Sequence, residues 1–188
     1  MSSNPVRRIS IMKISNIVSA AAIFLLLWCM ACEENPFDPN KWSTLSHEGF
    51  VLKWRVQDSN LEVELKGPST GWIAVGFAGS YGMHDSNIII GYVNGSSVSI
   101  RDDFGIDSDT HVSDTDLQGG EQNVSGKSGS EDSGVTTIFF TIPLDSGDLY
   151  DNALSEGQSY NIVLACAADG ADNFASGYTT ITNTSIKI

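Results

Sequence analysis

The sequence predicts an all-β fold, an antiparallel β-sandwich of roughly eight short strands. Three observations carry this prediction. From Phe50 onward the apolar residues recur with a period of two, which is the spacing of strands that bury one face. Segments rich in Gly, Ser, Thr, Asn and Asp separate the apolar runs. No stretch has the 3.6-residue period of an amphipathic helix.

The first two strands are marked by strict alternation. Apolar residues at 52, 54 and 56 alternate with basic ones, and apolar residues at 61, 63 and 65 alternate with Glu62 and Glu64. The break at Asp58, Ser59 and Asn60 predicts a hairpin between them. Further strands are predicted at residues 72–77, 88–93, 98–102, 135–142, 160–167 and 179–188.

The connections differ in kind. Asn94-Gly95 predicts a type I′ turn, because both central positions of that turn need positive φ. Residues 103–133 lack periodicity and are predicted to form one long insertion loop. Several acidic residues are interpreted as turn and strand-end residues, namely Asp102, Asp103, Asp145, Asp148 and Asp151.

The amino-terminal segment is predicted to be an export signal. Arg7, Arg8 and Lys13 precede an apolar run from residue 17 to 30, which is shorter than the roughly 20 residues of a spanning helix. Ala31-Cys32 follows, as in a bacterial lipobox, so Cys32 is the predicted lipidation site; a plain secretory signal and an uncleaved anchor are the alternatives. We therefore predict a signal peptide over residues 1–31, a tether over 32–44, one domain over 45–188, and an exported protein on the bacterial envelope, lipid-anchored to a membrane.

Charge and cysteine usage exclude some functions. The chain of 188 residues has a formal charge of −13, and all 23 acidic residues follow residue 32. This surface would repel a phosphate backbone, so no nucleic-acid partner is expected. With Cys29 in the leader and Cys32 lipidated, Cys166 stands alone in an apolar run and is interpreted as a small buried side chain.

Five blocks in order resemble the DOMON family. They are residues 71–77 (GWIAVGF), 82–93 (GMHDSNIIIGYV), 117–120 (LQGG), 134–148 (GVTTIFFTIPLDSGD) and 160–167. The resemblance spans about residues 45–188 and implies an immunoglobulin-like β-sandwich. Members of the family bind haem b or are inferred to bind sugars.

The resemblance implies that Met83 is one axial ligand of haem b, used for electron transfer with a redox partner protein. A thioether is a soft neutral ligand that favours ferrous iron. We expect its sulfur to face a hollow between the two sheets. The family's histidine would fall in residues 174–178, where this sequence has Ser176 and no imidazole. The histidines are His47, His84 and His111, and Lys187 is a conceivable amine ligand interpreted as an exposed strand residue.

Two other functions stay open for the same module. Aromatic side chains beside polar ones suit a sugar or another small molecule, and the predicted contact residues are Tyr81, Asp85, Asn87 and Tyr178. A structural or adhesion module, with its pocket filled by side chains, is the third interpretation.

Neither a catalytic nor a metal site is predicted. The sequence has no GxSxG, P-loop, CxxC or HExxH motif, so we expect no enzyme. The acidic run at residues 107–116 suggests calcium, but as an EF-hand it lacks the sixth-position glycine and has Gln118 in place of the last glutamate. It is interpreted as a solvated acidic loop.

Overall fold

A computed structural model describes residues 41–188, so the predicted signal peptide, Cys32 and most of the predicted tether lie outside the described part. Within these residues the chain forms eleven strands and one short 3-10 helix at Asp114–Asp116. The strands are β1 (Ser43–His47), β2 (Phe50–Gln57), β3 (Asn60–Gly67), β4 (Ile73–Phe77), β5 (Asn87–Asn94), β6 (Ser97–Gly105), β7 (His111–Ser113), β8 (Ser125–Asp132), β9 (Val135–Pro143), β10 (Ser159–Ala167) and β11 (Tyr178–Lys187). Across residues 41–188 no helix is long and apolar enough to cross a membrane.

The strands form two antiparallel sheets. The five-stranded sheet has the order β1-β2-β3-β9-β8, and the six-stranded sheet has the order β11-β10-β4-β5-β6-β7. Apolar side chains from both sheets meet in one buried cluster that includes Leu52, Leu65, Val75, Ile89 and Leu164. This arrangement confirms the predicted all-β sandwich, and the period of two places these residues on the facing sides.

The six-stranded sheet buries its outer face as well. On β4, β5 and β10 the residues that alternate with the inter-sheet core form a second cluster, here called the outer-face cluster. Its members are Trp72, Ala74, Met83, Ile88, Ile90, Val163, Ala165 and Ala167. Strands buried on both faces read as continuous apolar runs, as residues 88–90 and 162–167 do. The expected position of Met83 between the two sheets is therefore wrong, because its side chain belongs to the outer-face cluster.

The predicted insertion loop at residues 103–133 is also wrong. β6 continues to Gly105, β7 pairs with it, and β8 pairs with β9. β8 has the sequence SGKSGSED and is an edge strand without an apolar side chain. Backbone hydrogen bonds to β9 hold β8 in place. Because β8 has no alternating apolar residues, the pattern of hydrophobicity does not predict this strand.

Two further corrections concern turns and acidic residues. In the β5–β6 hairpin Asn94 pairs with Ser97, so Gly95 and Ser96 are the central turn residues. Of these two residues only Gly95 has positive φ, at 61°, which is the type II′ pattern instead of the predicted type I′. Asp102 and Asp103 are not strand-end residues, since both are fully buried within β6.

Candidate functional site

A loop at residues 78–86, here called the Met83 loop, connects β4 to β5 and carries three of the predicted site residues. Backbone hydrogen bonds from Met83 N to Ser108 O (3.0 Å) and from Asp85 N to Gly105 O (2.8 Å) tie this loop to the β6–β7 hairpin. A Cβ atom at Gly105 would overlap the Met83 carbonyl group. Only glycine therefore allows this close approach, which holds Met83 at 1% exposure.

The surface beneath Met83 is apolar and made largely of small or branched aliphatic side chains. Ala74 and Gly76 lie on β4, Ile88 and Ile90 on β5, and Ala165 on β10. Trp72 joins the same cluster and donates a hydrogen bond from Nε1 to the carbonyl oxygen of Ser176 (2.9 Å). These side chains thus form an apolar platform on the outer face of the sheet, and the Met83 side chain is buried among them.

His111 reaches the same face from β7. Its ring lies edge-on to Trp72, with centroids 6.2 Å apart and an interplanar angle of 73°. Its Nδ1 atom lies 2.6 Å from Oδ2 of Asp103, a buried carboxylate that also accepts hydrogen bonds from Arg101. A carboxylate on Nδ1 fixes the orientation and tautomer of an imidazole, and it leaves Nε2 as the atom that can take a further partner.

The other candidate axial ligands lie elsewhere. His84 is exposed, and its Nδ1 contacts Oγ of Ser80 at 2.9 Å and the Asp85 carboxylate at 3.0 Å. The Nε2 atom of His47 lies 3.0 Å from Oγ1 of Thr182. Lys187 is exposed on β11.

A cleft of about 440 Å³ opens beside the Met83 loop. Its walls are the loop itself and β10 and β11, and they include Tyr81, Ser86, Asn161 and Asn183. Ser86 is 1% exposed, and its hydroxyl group has no hydrogen-bond partner within residues 41–188. Tyr81 is 78% exposed at the rim. The cleft therefore offers an aromatic face and several uncommitted polar groups.

The predicted contact residues are only partly brought together. Tyr81 lines the cleft, and Asp85 is exposed on the same loop, where it accepts a hydrogen bond from Ser80. Asn87 points to the other side of the sheet, and its Nδ2 donates to Asp151 (2.6 Å). Tyr178 begins β11 and is not among the residues that line the cleft.

Sequence reasoning did not single out the grouping of Trp72, Asp103 and His111. Because the sequence predicts Asp103 and His111 to lie in or beside a loop, it does not place them on one face of a sheet. The signal that could have found it is the alternation through Arg101, Asp103 and Gly105, which continues across the β6–β7 pair.

The described residues form a two-sheet antiparallel sandwich with a buried methionine on the outer face of its larger sheet. The family model for the DOMON domain matches residues 46–167, more than half of the chain. This chain belongs to the DOMON family, as the five sequence blocks predict.

Comparison with solved structures shows the same fold. The cytochrome b domain of pyranose dehydrogenase from Coprinopsis cinerea aligns with a TM-score of 0.55 at 14% identity. The cytochrome domain of Myriococcum thermophilum cellobiose dehydrogenase aligns with a TM-score of 0.56 at 12% identity. Each alignment covers 78% of this chain and 81% of the other. A search of curated proteins found no significant match.

Proposed function

We propose that this DOMON module binds haem b on the outer face of its six-stranded sheet and transfers electrons to a redox partner protein. The observation that carries the proposal is the presence of two donors on the same face of the sheet. Met83 is buried in the outer-face cluster, and His111 contacts Trp72 of that cluster while Asp103 holds its Nδ1. The cytochrome b domains among the structural neighbours support the same class of ligand.

The residues fit haem in their donor chemistry. Met83 would supply a thioether and His111 the Nε2 atom of an imidazole, a pair that suits electron transfer. Asp103 would act as the hydrogen-bond acceptor that orients His111, and Arg101 would hold the Asp103 carboxylate in position. The bound haem supplies the one-electron chemistry. The protein's part is to orient the donors and to exclude water from them.

The proposal includes the cellular location that the sequence predicts. We propose that the protein is exported, anchored to the envelope by lipid on Cys32, and without catalytic activity of its own. A membrane anchor would keep the haem module near a membrane-bound or exported redox partner. Replacing Cys32 with Ser should abolish incorporation of radiolabelled fatty acid and release the chain from the membrane fraction; unchanged fractionation would contradict the anchor.

The haem proposal is tested by hemin titration of the full chain in detergent, followed by visible spectra before and after dithionite. We expect one haem per chain and a Soret band that sharpens and shifts on reduction. Met83→Leu, which keeps the apolar volume, and His111→Ala should each lose the six-coordinate spectrum. His84→Ala is the matched control and should behave as wild type. Failure to take up hemin would overturn the proposal.

The cleft beside the Met83 loop favours a second candidate, a carbohydrate or similar polar small molecule. The exposed ring of Tyr81 and the exposed side-chain amides of Asn161 and Asn183 suit the apolar face and the hydroxyl groups of a sugar. A glycan array with wild type, Tyr81→Ala and the control Phe139→Ala, an exposed aromatic on β9, tests it. Binding lost only in Tyr81→Ala supports the cleft. If the protein bound neither hemin nor any glycan, the structural or adhesion module would be the remaining interpretation.

A further inference from the structure

Three buried or half-buried carboxylates converge beside β6, on the face of the sheet opposite the outer-face cluster. They belong to Asp102 on β6, Asp114 in the 3-10 helix and Asp151 in the segment after β9, and we call them the carboxylate cluster. One oxygen of each lies within 4.8 Å of the others. Asp102 and Asp114 have no exposed surface. Three elements distant in sequence thus place three carboxyl groups at one point.

Three of the six carboxylate oxygens in the cluster are buried without a partner within residues 41–188. Oδ1 of Asp102 and both carboxylate oxygens of Asp114 have no hydrogen-bond partner within residues 41–188. Asp102 Oδ2 accepts one hydrogen bond, from the backbone N–H of Asn123 (3.0 Å). Buried polar atoms are almost always satisfied, so several orphaned oxygens in one place indicate a missing ligand.

Two buried amide oxygens also lack partners, and they independently indicate a missing ligand. Asn87 is 5% exposed, and its Oδ1 has no partner, although its Nδ2 reaches Asp151 Oδ1 at 2.6 Å. Oδ1 of Asn123 is also buried without a partner within residues 41–188. Because the two ends of an amide exchange by rotation, Asn87 can present its oxygen to the centre of the cluster.

Positive charge is missing around the cluster. Among the salt bridges within residues 41–188, none includes Asp102, Asp114 or Asp151. Arg101 is committed to Asp103 on the opposite face, and Lys127 Nζ donates to the carbonyl oxygen of Ile100 (3.0 Å). Burial, reinforced by the charge of Asp151, raises the pKa of Asp102 to about 8 and that of Asp114 to about 7. A cluster of this kind needs either protons or a cation.

We propose that this cluster is a Ca²⁺ site, held by the carboxylates of Asp102, Asp114 and Asp151 and by the side-chain oxygen of Asn87. All of these donors are hard oxygens, and the site offers neither imidazole nor thiolate, which disfavours zinc and other transition metals. An irregular set from a strand, a 3-10 helix and a loop suits Ca²⁺ better than the strict octahedron of Mg²⁺. The bound ion joins β6 to the segments at residues 114–123 and 145–154, and it is independent of haem binding.

The test uses the full chain in detergent, stripped with EDTA and exchanged into calcium-free buffer at pH 8. Equilibrium dialysis against CaCl₂ should give one ion per chain, and the thermal midpoint should rise with CaCl₂ and rise less with MgCl₂ at equal concentration. Asp114→Asn should lose both the bound ion and the rise. Asp107→Asn and Asp109→Asn, which change exposed acids of the same segment, should keep both.

A loss of Ca²⁺ binding in Asp114→Asn can be distinguished from a folding defect. Asparagine resembles a protonated aspartic acid, so Asp114→Asn should be at least as stable as wild type in EDTA at pH 8 and less stable than wild type in CaCl₂. No Ca²⁺ binding at millimolar concentration, or equal binding by wild type, Asp114→Asn and Asp151→Asn, would overturn the proposal.

Discussion

The Nδ1 atom of His111 lies 2.6 Å from Oδ2 of Asp103, and this contact places the imidazole on the outer face of the six-stranded sheet. The carboxylate is fully buried, and Arg101 Nε donates to its other oxygen at 2.5 Å. The three residues form a charged network beside an apolar platform. Orienting networks of this kind typically support a ligating histidine.

Asp103→Asn should weaken haem binding without removing it. The amide is nearly isosteric with the carboxylate but is a weaker acceptor for His111 Nδ1, and it loses its charge pair with Arg101. Loss of such an orienting partner typically costs about 10–100-fold in affinity. Hemin titration measures the effect, with Asp107→Asn as an exposed acidic control. Equal affinity of Asp103→Asn and wild type would remove His111 from the site.

Gly105→Ala should destabilise the domain and disturb Met83. The new Cβ would overlap the carbonyl group of Met83, so the Met83 loop would have to move. Overpacking of this kind typically costs about 1–3 kcal/mol. Gly177→Ala is the matched control, because nothing lies within 4 Å of a Cβ at that position. Chemical denaturation of both variants measures the difference, and an equally small change in both would contradict the contact.

Without calcium, the domain should lose stability as the pH rises from about 4 towards 8. Burial raises the pKa of Asp102 to about 8 and that of Asp114 to about 7, whereas both are near 3.8 when unfolded. Between these values the folded state holds more protons than the unfolded state, so the free energy of unfolding falls with rising pH. The carboxylates of Asp103, Asp148 and Asp151 add repulsion to this pair.

Denaturant midpoints at pH 5 and pH 8 in EDTA measure this dependence. Asp114→Asn removes one of the titrating groups, so its midpoint should change less between the two pH values than that of wild type. A wild-type domain that is equally stable at both, or a variant with the same slope, would contradict the raised pKa values.

Cys166 should be chemically inert in the folded protein. Its side chain is 2% exposed in the inter-sheet core, and burial raises the pKa of its thiol. Because the thiolate is the reactive form, iodoacetamide at pH 8 should not label Cys166 until denaturant is added. Peptide mass spectrometry after brief labelling measures this. Labelling of Cys166 in the native protein as fast as in denaturant would contradict the predicted burial.

The fold was predictable where one side of a strand is buried. The alternation at residues 52–56 and 61–65 gave both the β2–β3 hairpin and its inward residues. β8 was not predictable, because an edge strand of Ser, Gly, Lys, Glu and Asp carries no pattern of hydrophobicity. β1 has Leu45 as its one apolar residue and was missed for the same reason.

The sites were less predictable than the strands. Met83 could be chosen from its sequence block, but its face could not, because residues 88–90 are buried on both sides of the sheet and give no alternation. The prediction that Asp102 is a turn or strand-end residue is wrong, because it lies inside β6. Its register with Ile100 shows that it faces inward, yet an inward carboxylate becomes meaningful only once Asp114 and Asp151 are seen beside it.

The most direct test of the haem proposal is the ferric absorption spectrum of the hemin-loaded full chain, at the charge-transfer band that an iron–thioether bond produces. We expect this band in wild type and in His84→Ala, and its loss in Met83→Leu with hemin still bound. A loaded protein that lacks the band, or that keeps it in Met83→Leu, would contradict the account.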